Sequence, residues 1–271
     1  MGSGEHGPMT GRETASSDTR GPTPDEIDEV GAFVATLLAT PAHRLTACQG
    51  WTVHELVAHL TAGAAEEAAL IEAHLEGRPD RATEDFASRE RPYRQLPDAQ
   101  LRDRLFEESV RLATGISQLG EETVLFTGRR MSGNEFAMHS RSECALHRWD
   151  VTGRDDIGWA MLSQPALTTH AIKVLTTMVA LPEAPGNRVG RSRTGAPRVV
   201  LRSAPHDDIV LNFGPTSCDI EQEPIGHSIA DVELDPAQRL LMLWGRREPG
   251  SPIDLHAEGP AREVIQSLLA R

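Results

Sequence analysis

Glu143 and His147 are residues whose types and spacing could bind a metal ion. They lie four positions apart in the segment ECALH. On an α-helix, residues at i and i+4 project from the same face. A carboxylate and an imidazole placed in this way can reach one divalent cation. The pair is therefore a candidate for part of a metal site.

His59 is the candidate third ligand, contributed by a different helix. It lies three residues after Leu56 and four before Gly63, so the three share one face of a predicted helix. Two imidazole nitrogens and one carboxylate oxygen leave at least one coordination position open. Such a ligand set is typical of catalytic rather than structural metal sites.

Spacing alone leaves other interpretations open. A Glu and a His four residues apart also form a common surface pair on helices. A single His on an apolar face can be a hydrogen-bonded core residue. His139 adds a further alternative, because residues 139, 143 and 147 form one stripe and His139 could pair with Glu143 instead.

Capping motifs mark the two helices that would carry these residues. The motif Thr52–Glu55 opens one helix, which extends to residue 75, and the motif Ser132–Glu135 opens the other. Gly153 is expected to end the second helix in a left-handed conformation. Apolar spacing predicts further helices over 23–38, 98–119 and 164–180, an extended piece over 124–130, and a polar loop over 78–96.

The composition changes after residue 181. A stretch rich in Pro, Gly and Arg predicts a linker, and beyond it strands are predicted over 199–201, 209–211, 229–234 and 253–256, with helices over 236–244 and 260–269. The fold class is therefore α+β in two domains. The predicted divisions are a disordered tail over 1–22, a helical bundle over 23–181, a linker over 182–197 and an α+β domain over 198–271.

Charge and composition exclude several functions. The net charge of −13 and the single lysine, Lys173, do not suit a protein that binds phosphate backbones. No run reaches the ~20 apolar residues of a membrane helix, and the N-terminus lacks the apolar core of a signal peptide. The 3 cysteines form no CxxC motif. We therefore predict a cytoplasmic protein that binds neither nucleic acid nor membrane.

Three segments carry a resemblance to a known family. The segment WTVHELVAHL at 51–60 resembles the W-(S/T)-v-x-d-l-v-a-H-l opening of the mycothiol-dependent maleylpyruvate isomerase family, within the DinB-like superfamily. The segment ECALHRWD at 143–150 resembles that family's E-x-x-x-H-x-x-D signature, and AQRLLMLWGR at 237–246 is similar to its LWGR segment. The resemblance covers nearly everything from residue 24 to residue 271.

The resemblance implies a ligand set and a fold. It implies that His59, Glu143 and His147 bind one divalent metal, with zinc the expected ion, and that His139 does not. It also implies a DinB-like four-helix bundle followed by a sterol-carrier-protein-like domain. Mycothiol, the small thiol of high-GC actinobacteria, is the implied cosubstrate.

The chemistry of thiols indicates what such a site would do. A free thiol has a pKa of about 8.5, and only the thiolate is a good nucleophile. A zinc-type cation with an open position can bind the sulfur and deprotonate it. We therefore predict a metal-dependent mycothiol S-transferase whose thiolate attacks an electrophilic small molecule. The alternatives are a mycothiol-dependent cis–trans isomerase of the maleylpyruvate type and a non-catalytic metal- or small-molecule-binding regulator on the same fold.

The LWGR match indicates a catalytic role for Arg246. This residue follows the helix predicted over 236–244, and its guanidinium could fold over the metal pocket and hold a substrate carboxylate with forked hydrogen bonds. The alternative is a solvated turn in which Arg246 complements the helix dipole. Asp150 is a candidate for orienting a ligand histidine, and Cys144 is expected to be a core residue.

Overall fold

The structure is a computed structural model, and it describes residues 1, 28–177, 181, 184–189, 197–214, 217–248, 250 and 253–269. Within these ranges a helical N-terminal part precedes a sheet with flanking helices, which confirms the predicted α+β class. Most of the predicted tail over 1–22, the predicted helix start over 23–27 and the last residues of the helix predicted over 164–180 lie outside the described residues.

The N-terminal part is built from helices whose ends follow the capping motifs. The Thr52–Glu55 and Ser132–Glu135 capping boxes both form, and Gly153 has a positive φ of 71° at the predicted stop. The helices in this part are α1 (Glu29–Ala39), α2 (Val53–Leu75), α3 (Phe86–Arg94), α4 (Asp98–Leu119) and α5 (Gly133–Thr152).

Helices α1, α2, α4 and α5 form the bundle that positions the candidate ligands. Helix α2 packs along α4, α5 packs on α1 and α4, and the facing side chains are apolar and buried. Gly115 of α4 lets α2 approach closely, because a Cβ at this position would lie 3.1 Å from Ile71 Cγ2. The spacing between α2 and α4 therefore follows from close packing in the bundle.

Helix α3 corrects the predicted loop over 78–96. Its sequence FASRERPYR contains Pro92 and lacks an apolar stripe, so the pattern of residues gives no helical signal. Asp85 caps its N-terminus, and α3 packs against α2. A helix this short is marginal by itself, so contacts with α2 stabilise it.

Two short connections also differ from the predictions. The piece predicted over 124–130 is a hairpin of β1 (Thr123–Phe126) and β2 (Arg129–Ser132), whose turn contains Gly128 at a φ of 85°. After α5 the chain forms α6 (Asp156–Leu162), where no helix was predicted, and then α7 (Pro165–Thr177), which lies within the helix predicted over 164–180.

The C-terminal part contains a five-stranded sheet. A short helix, α8 (Pro185–Val189), lies inside the predicted linker over 182–197. The sheet has the order β5-β4-β3-β6-β7, in which β3 and β6 are parallel and the other neighbours antiparallel. The remaining elements are β3 (Arg198–Ser203), β4 (His206–Phe213), β5 (Cys218–Glu223), β6 (Val232–Glu233), α9 (Pro236–Leu243), β7 (Asp254–Leu255) and α10 (Gly259–Leu268).

The two parts share one hydrophobic core. Helices α6 and α7 pack on α9, and α7 also packs on β5. Buried side chains connect Leu146 and Trp149 of α5 with Leu240 and Trp244 at α9. This contact brings the end of α9 toward α5. None of the helices in the described ranges combines the length and apolar character that crossing a membrane requires.

Two glycines with opposite surroundings test the packing. A Cβ at Gly133 would lie 2.8 Å from the carbonyl oxygen of Ile116, whereas a Cβ at Gly63 would meet nothing within 4 Å. We expect Gly133→Ala to lower the free energy of unfolding by about 1–3 kcal/mol through overpacking. Gly63→Ala should raise it by up to ~1 kcal/mol through helix propensity. Urea denaturation measures both, and equal effects would contradict this packing.

Candidate metal centre

The three predicted ligands meet between α2 and α5. His59, Glu143 and His147 each offer one donor atom, and these atoms lie within 4.8 Å of one another. His147 Nε2 lies 3.3 Å from Glu143 Oε2. Two donors held about 2.1 Å from a tetrahedral cation lie about 3.4 Å apart, so this spacing fits a divalent ion. That these residues bind a metal stays a prediction, which the donor geometry supports.

A carboxylate on α3 orients His59. The ring Nδ1 of His59 hydrogen-bonds Glu90 Oε1 at 2.7 Å. Glu90 is buried, and Arg94 donates to its other oxygen through Nε at 3.1 Å and Nη2 at 2.7 Å. Because the carboxylate accepts the Nδ1 proton, Nε2 of His59 keeps its lone pair for a cation.

A second carboxylate orients His147 in the same way. Nδ1 of His147 hydrogen-bonds Asp150 Oδ2 at 2.8 Å. Arg246, which follows α9, donates to Asp150 through Nε and Nη2, both at 2.8 Å. Each of these two histidines therefore lies at the end of a chain of histidine, carboxylate and arginine, and the second chain crosses from the N-terminal to the C-terminal part.

The charges of these groups determine their protonation. Burial by itself would raise the pKa of Asp150, but the charge of Arg246 and the hydrogen bonds from His147 and Arg246 hold it well below its usual range. Burial likewise opposes ionisation of Glu143, and the hydrogen bond and charge of His147 together with the other histidines lower its pKa. Both carboxyl groups are thus anionic at neutral pH, as the candidate ligand Glu143 and the supporting Asp150 would have to be.

A second group of possible ligands shares His147. Cys48, His147 and Asp150 also offer atoms within 4.8 Å of one another. Asp150 already accepts hydrogen bonds from His147 and Arg246, and the Cys48 thiol lies 3.2 Å from the same carboxylate. With its oxygens engaged, Asp150 is better suited to support His147 than to bind a cation.

The candidate site opens to solvent on one side. The side chain of Glu143 is 25% exposed and that of His59 is 17% exposed. The rings of Trp51 and Phe86 lie 5.2 Å and 5.7 Å from the His59 ring. Nothing lies within 4 Å of the position of a Cβ at Gly63, one turn along α2. A small molecule can therefore approach the donors from this cleft.

His139 lies outside the ligand cluster. Its Nδ1 lies 3.2 Å from His170 Nε2, and its Nε2 lies 3.9 Å from Glu67 Oε1. Cys144 is also set apart, since burial raises the pKa of its thiol to about 12. Neither residue belongs to a group of three possible ligands within the described ranges.

The role of Glu90 was not predicted from the sequence. The residue lies in a segment predicted to be a loop, where a single acidic residue among arginines has no distinguishing pattern. Its i,i+4 pairing with Arg94 is the one local signal, and it is consistent with an exposed helix as well. The contact with His59 is tertiary and depends on where α3 packs.

Comparisons with known proteins give the family of the N-terminal part. Residues 23–152 match the family model described as the mycothiol maleylpyruvate isomerase N-terminal domain. This part of the chain belongs to that family. The match contains His59, Glu143 and His147, and its end lies just beyond Asp150. No curated protein matches the chain.

Two solved structures share the fold along most of the chain. They are a mycothiol-dependent maleylpyruvate isomerase, at 16% identity, and a histidine-to-alanine mutant of a mycothiol-dependent maleylpyruvate isomerase, at 15% identity. In each case the TM-score is 0.58, and the match covers 89% of this chain and 98% of the other. The shared fold therefore includes the C-terminal sheet as well as the bundle.

Metal content distinguishes the candidate ligands from the neighbouring histidine. We expect His59→Ala and His147→Ala to lose bound divalent metal, because each removes one of three donors. His139→Ala should keep it, since His139 contacts His170 and Glu67 instead. Metal-to-protein ratios from mass spectrometry after dialysis measure this. Full metal content in His147→Ala would exclude the proposed ligand set.

The contribution of α3 can be measured separately. Glu90→Gln should lower metal affinity about ten- to hundredfold, because a neutral amide orients His59 less strongly and lowers its basicity. Glu84→Gln is the matched control, an exposed carboxylate just before α3. Competition with a chelating dye gives both affinities. Equal affinities in the two variants would show that α3 does not support the site.

Proposed function

We propose that the protein is a metal-dependent thiol S-transferase that uses mycothiol. The observation that carries this proposal is the pair of ligand histidines whose Nδ1 atoms are each held by a buried carboxylate, beside a partly exposed Glu143. Family membership of residues 23–152 supports the thiol, because the family's description names mycothiol.

His59, Glu143 and His147 would hold the cation. A divalent ion bound there supplies Lewis acidity, which lowers the pKa of a thiol that occupies the open position. The protein's own contribution is to fix the donors before the thiol arrives. Glu90 and Asp150 hold the two imidazole rings, and a preorganised site needs little rearrangement during reaction.

Arg246 acts in this proposal through Asp150. Its guanidinium forms two hydrogen bonds with that carboxylate, and its Nη1 lies 3.4 Å from the carbonyl oxygen of Trp244. The buried Asp150 would be costly to leave unpaired. Arg246 is therefore a positioning residue for His147, and the predicted contact with a substrate carboxylate would have to use Nη1.

Isomerisation is the second candidate function. Both matched structures are described as mycothiol-dependent maleylpyruvate isomerases. The same activated thiol would add to a cis-enedione, and rotation followed by elimination would release the trans isomer. A regulator without catalysis is a weaker candidate, because a sealed site would serve it as well, whereas Glu143 and His59 are partly exposed.

Product analysis tests these functions. The zinc-loaded protein would be mixed with mycothiol and, separately, with an alkyl halide, a conjugated enone or a cis-enedione, with cysteine as the control thiol. Mass spectrometry should detect mycothiol S-conjugates that form faster than in the presence of His147→Ala. Enedione conversion without conjugates would support isomerisation. Unaccelerated reactions with every electrophile would leave the regulator as the remaining candidate.

Arg246 provides a kinetic test of positioning. Arg246→Ala should lower kcat/KM for S-transfer at least tenfold, which corresponds to about 1.4 kcal/mol. Arg246→Lys should recover little, because an ammonium lacks the planar fork that engages both oxygens of Asp150. Saturating zinc keeps metal occupancy equal in all proteins. Wild-type kinetics in both variants would show that Arg246 does not act on catalysis through Asp150.

A further inference from the structure

A second polar cluster lies in the same cleft, two turns of α2 away from His59. His59, Gly63 and Glu67 follow one another at intervals of four residues on α2, so they share a face. On α5, His139 precedes Glu143 by one turn, and its Nε2 lies 3.9 Å from Glu67 Oε1. The cleft beside Gly63 therefore has the candidate metal ligands at one end and Glu67 at the other.

Glu67 is buried without a hydrogen bond to satisfy it. Its side chain is 7% exposed, and its Oε2 has no hydrogen-bond partner among the described residues. Its neighbour Glu66 is equally buried, yet Arg81 donates to both of its oxygens, at 2.8 Å and 2.7 Å. An unsatisfied buried polar group costs about 1–3 kcal/mol, so its retention calls for a function.

The surroundings of Glu67 favour its protonated form. Burial, with an added contribution from the charge of Glu143, raises the pKa of Glu67 to about 8, although Arg89 opposes the shift. Burial also lowers the pKa of His139, and it lowers the pKa of His170 to about 3. At neutral pH this end of the cleft holds a carboxylic acid beside two neutral imidazoles.

We propose that Glu67 is the proton donor that completes the addition of the thiol to an unsaturated electrophile. This inference rests on the proposed S-transfer function and names conjugated enones as the substrate class. Three observations carry it: the open space beside Gly63, which lies between His59 and Glu67 on one face of α2, the unsatisfied Oε2, and the lack, among the described residues, of an arginine that forms an ion pair with Glu67.

The step balances without another reactant. The thiolate sulfur forms a bond to the β carbon of the enone, and the electron pair of the C=C bond moves to give an enolate. The O–H bond of Glu67 then breaks, and its proton forms a C–H bond at the α carbon. The proton lost by the thiol on ionisation restores the acid, so the sum is one thiol added across one double bond.

Isomerisation makes a different demand on Glu67. After thiolate addition to a cis-enedione, the former double bond is single and can rotate, and expulsion of the thiolate restores the alkene. No new C–H bond is required. Glu67 is therefore needed for net addition of the thiol. Without its proton, formation of the adduct should slow more than the attack of the thiolate on the enone does.

Glu67→Gln and Glu66→Gln form a matched pair for the test. With zinc, mycothiol and cyclohex-2-enone, Glu67→Gln should lower kcat for adduct formation at least tenfold and change KM less than twofold. Its zinc content should match that of wild type. Glu66→Gln should retain wild-type kcat, because Glu66 contacts Arg81 and the backbone N–H of Glu84 instead of facing the cleft. Conversion of a cis-enedione should be nearly unchanged in both variants.

Two readouts separate proton donation from structural support. In D₂O, wild-type product should carry deuterium on one face of the α carbon, and Glu67→Gln product should carry it on both faces. Wild-type kcat should fall as the pH rises through the pKa of Glu67, since the donor is lost above it, and this decrease should be missing in Glu67→Gln.

The outcomes distinguish this inference from the proposed function. Wild-type kcat and one-sided deuteration in Glu67→Gln would overturn the role of Glu67 while leaving S-transfer intact. Loss of zinc from Glu67→Gln would also overturn it, by showing that Glu67 supports the metal site. If wild-type protein accelerated no thiol addition, both the function and the role of Glu67 would be rejected.

Discussion

The hydrogen bond from a candidate ligand imidazole to a buried carboxylate is the interaction on which the site depends. It occurs twice, from His59 to Glu90 and from His147 to Asp150. Each carboxylate is tolerable in the interior only because an arginine neutralises it. Helix α3 must pack against the bundle because it brings the pair of Glu90 and Arg94 to His59, and the segment after α9 must do so because it brings Arg246 to Asp150.

The two ends of the cleft have opposite electrostatic designs. Around the ligands, the carboxylates are compensated by arginines and histidines, so they remain anionic. At Glu67 none of the arginines that the structure describes forms an ion pair, and burial favours the neutral acid. Carboxyl groups on the same pair of helices can thus perform different tasks, because the partner each meets sets its charge.

The sequence predicted the elements that are determined locally. Capping boxes placed the starts of α2 and α5, and apolar periodicity predicted the helix over 98–119 with the bounds observed for α4. Helix α3 has no such periodicity, and the hydrogen bond that gives Glu90 its role is with a residue 31 positions away. The ligand set came from a resemblance as much as from spacing, since i,i+4 geometry also allowed His139. The side chain that Arg246 contacts could not be predicted, because Asp150 lies 96 residues earlier and the pairing depends on how the two parts pack.

If His59, Glu143 and His147 hold a cation as we propose, the ion pair between Arg246 and Asp150 couples the C-terminal part thermodynamically to that cation. If docking of this part strengthens metal binding by orienting His147, then metal binding must strengthen docking by the same free energy, because linkage is reciprocal. A chelator that removes this cation should therefore weaken the contact of Arg246 with α5. Metal binding at this site would thus stabilise the docking of the C-terminal part on the bundle.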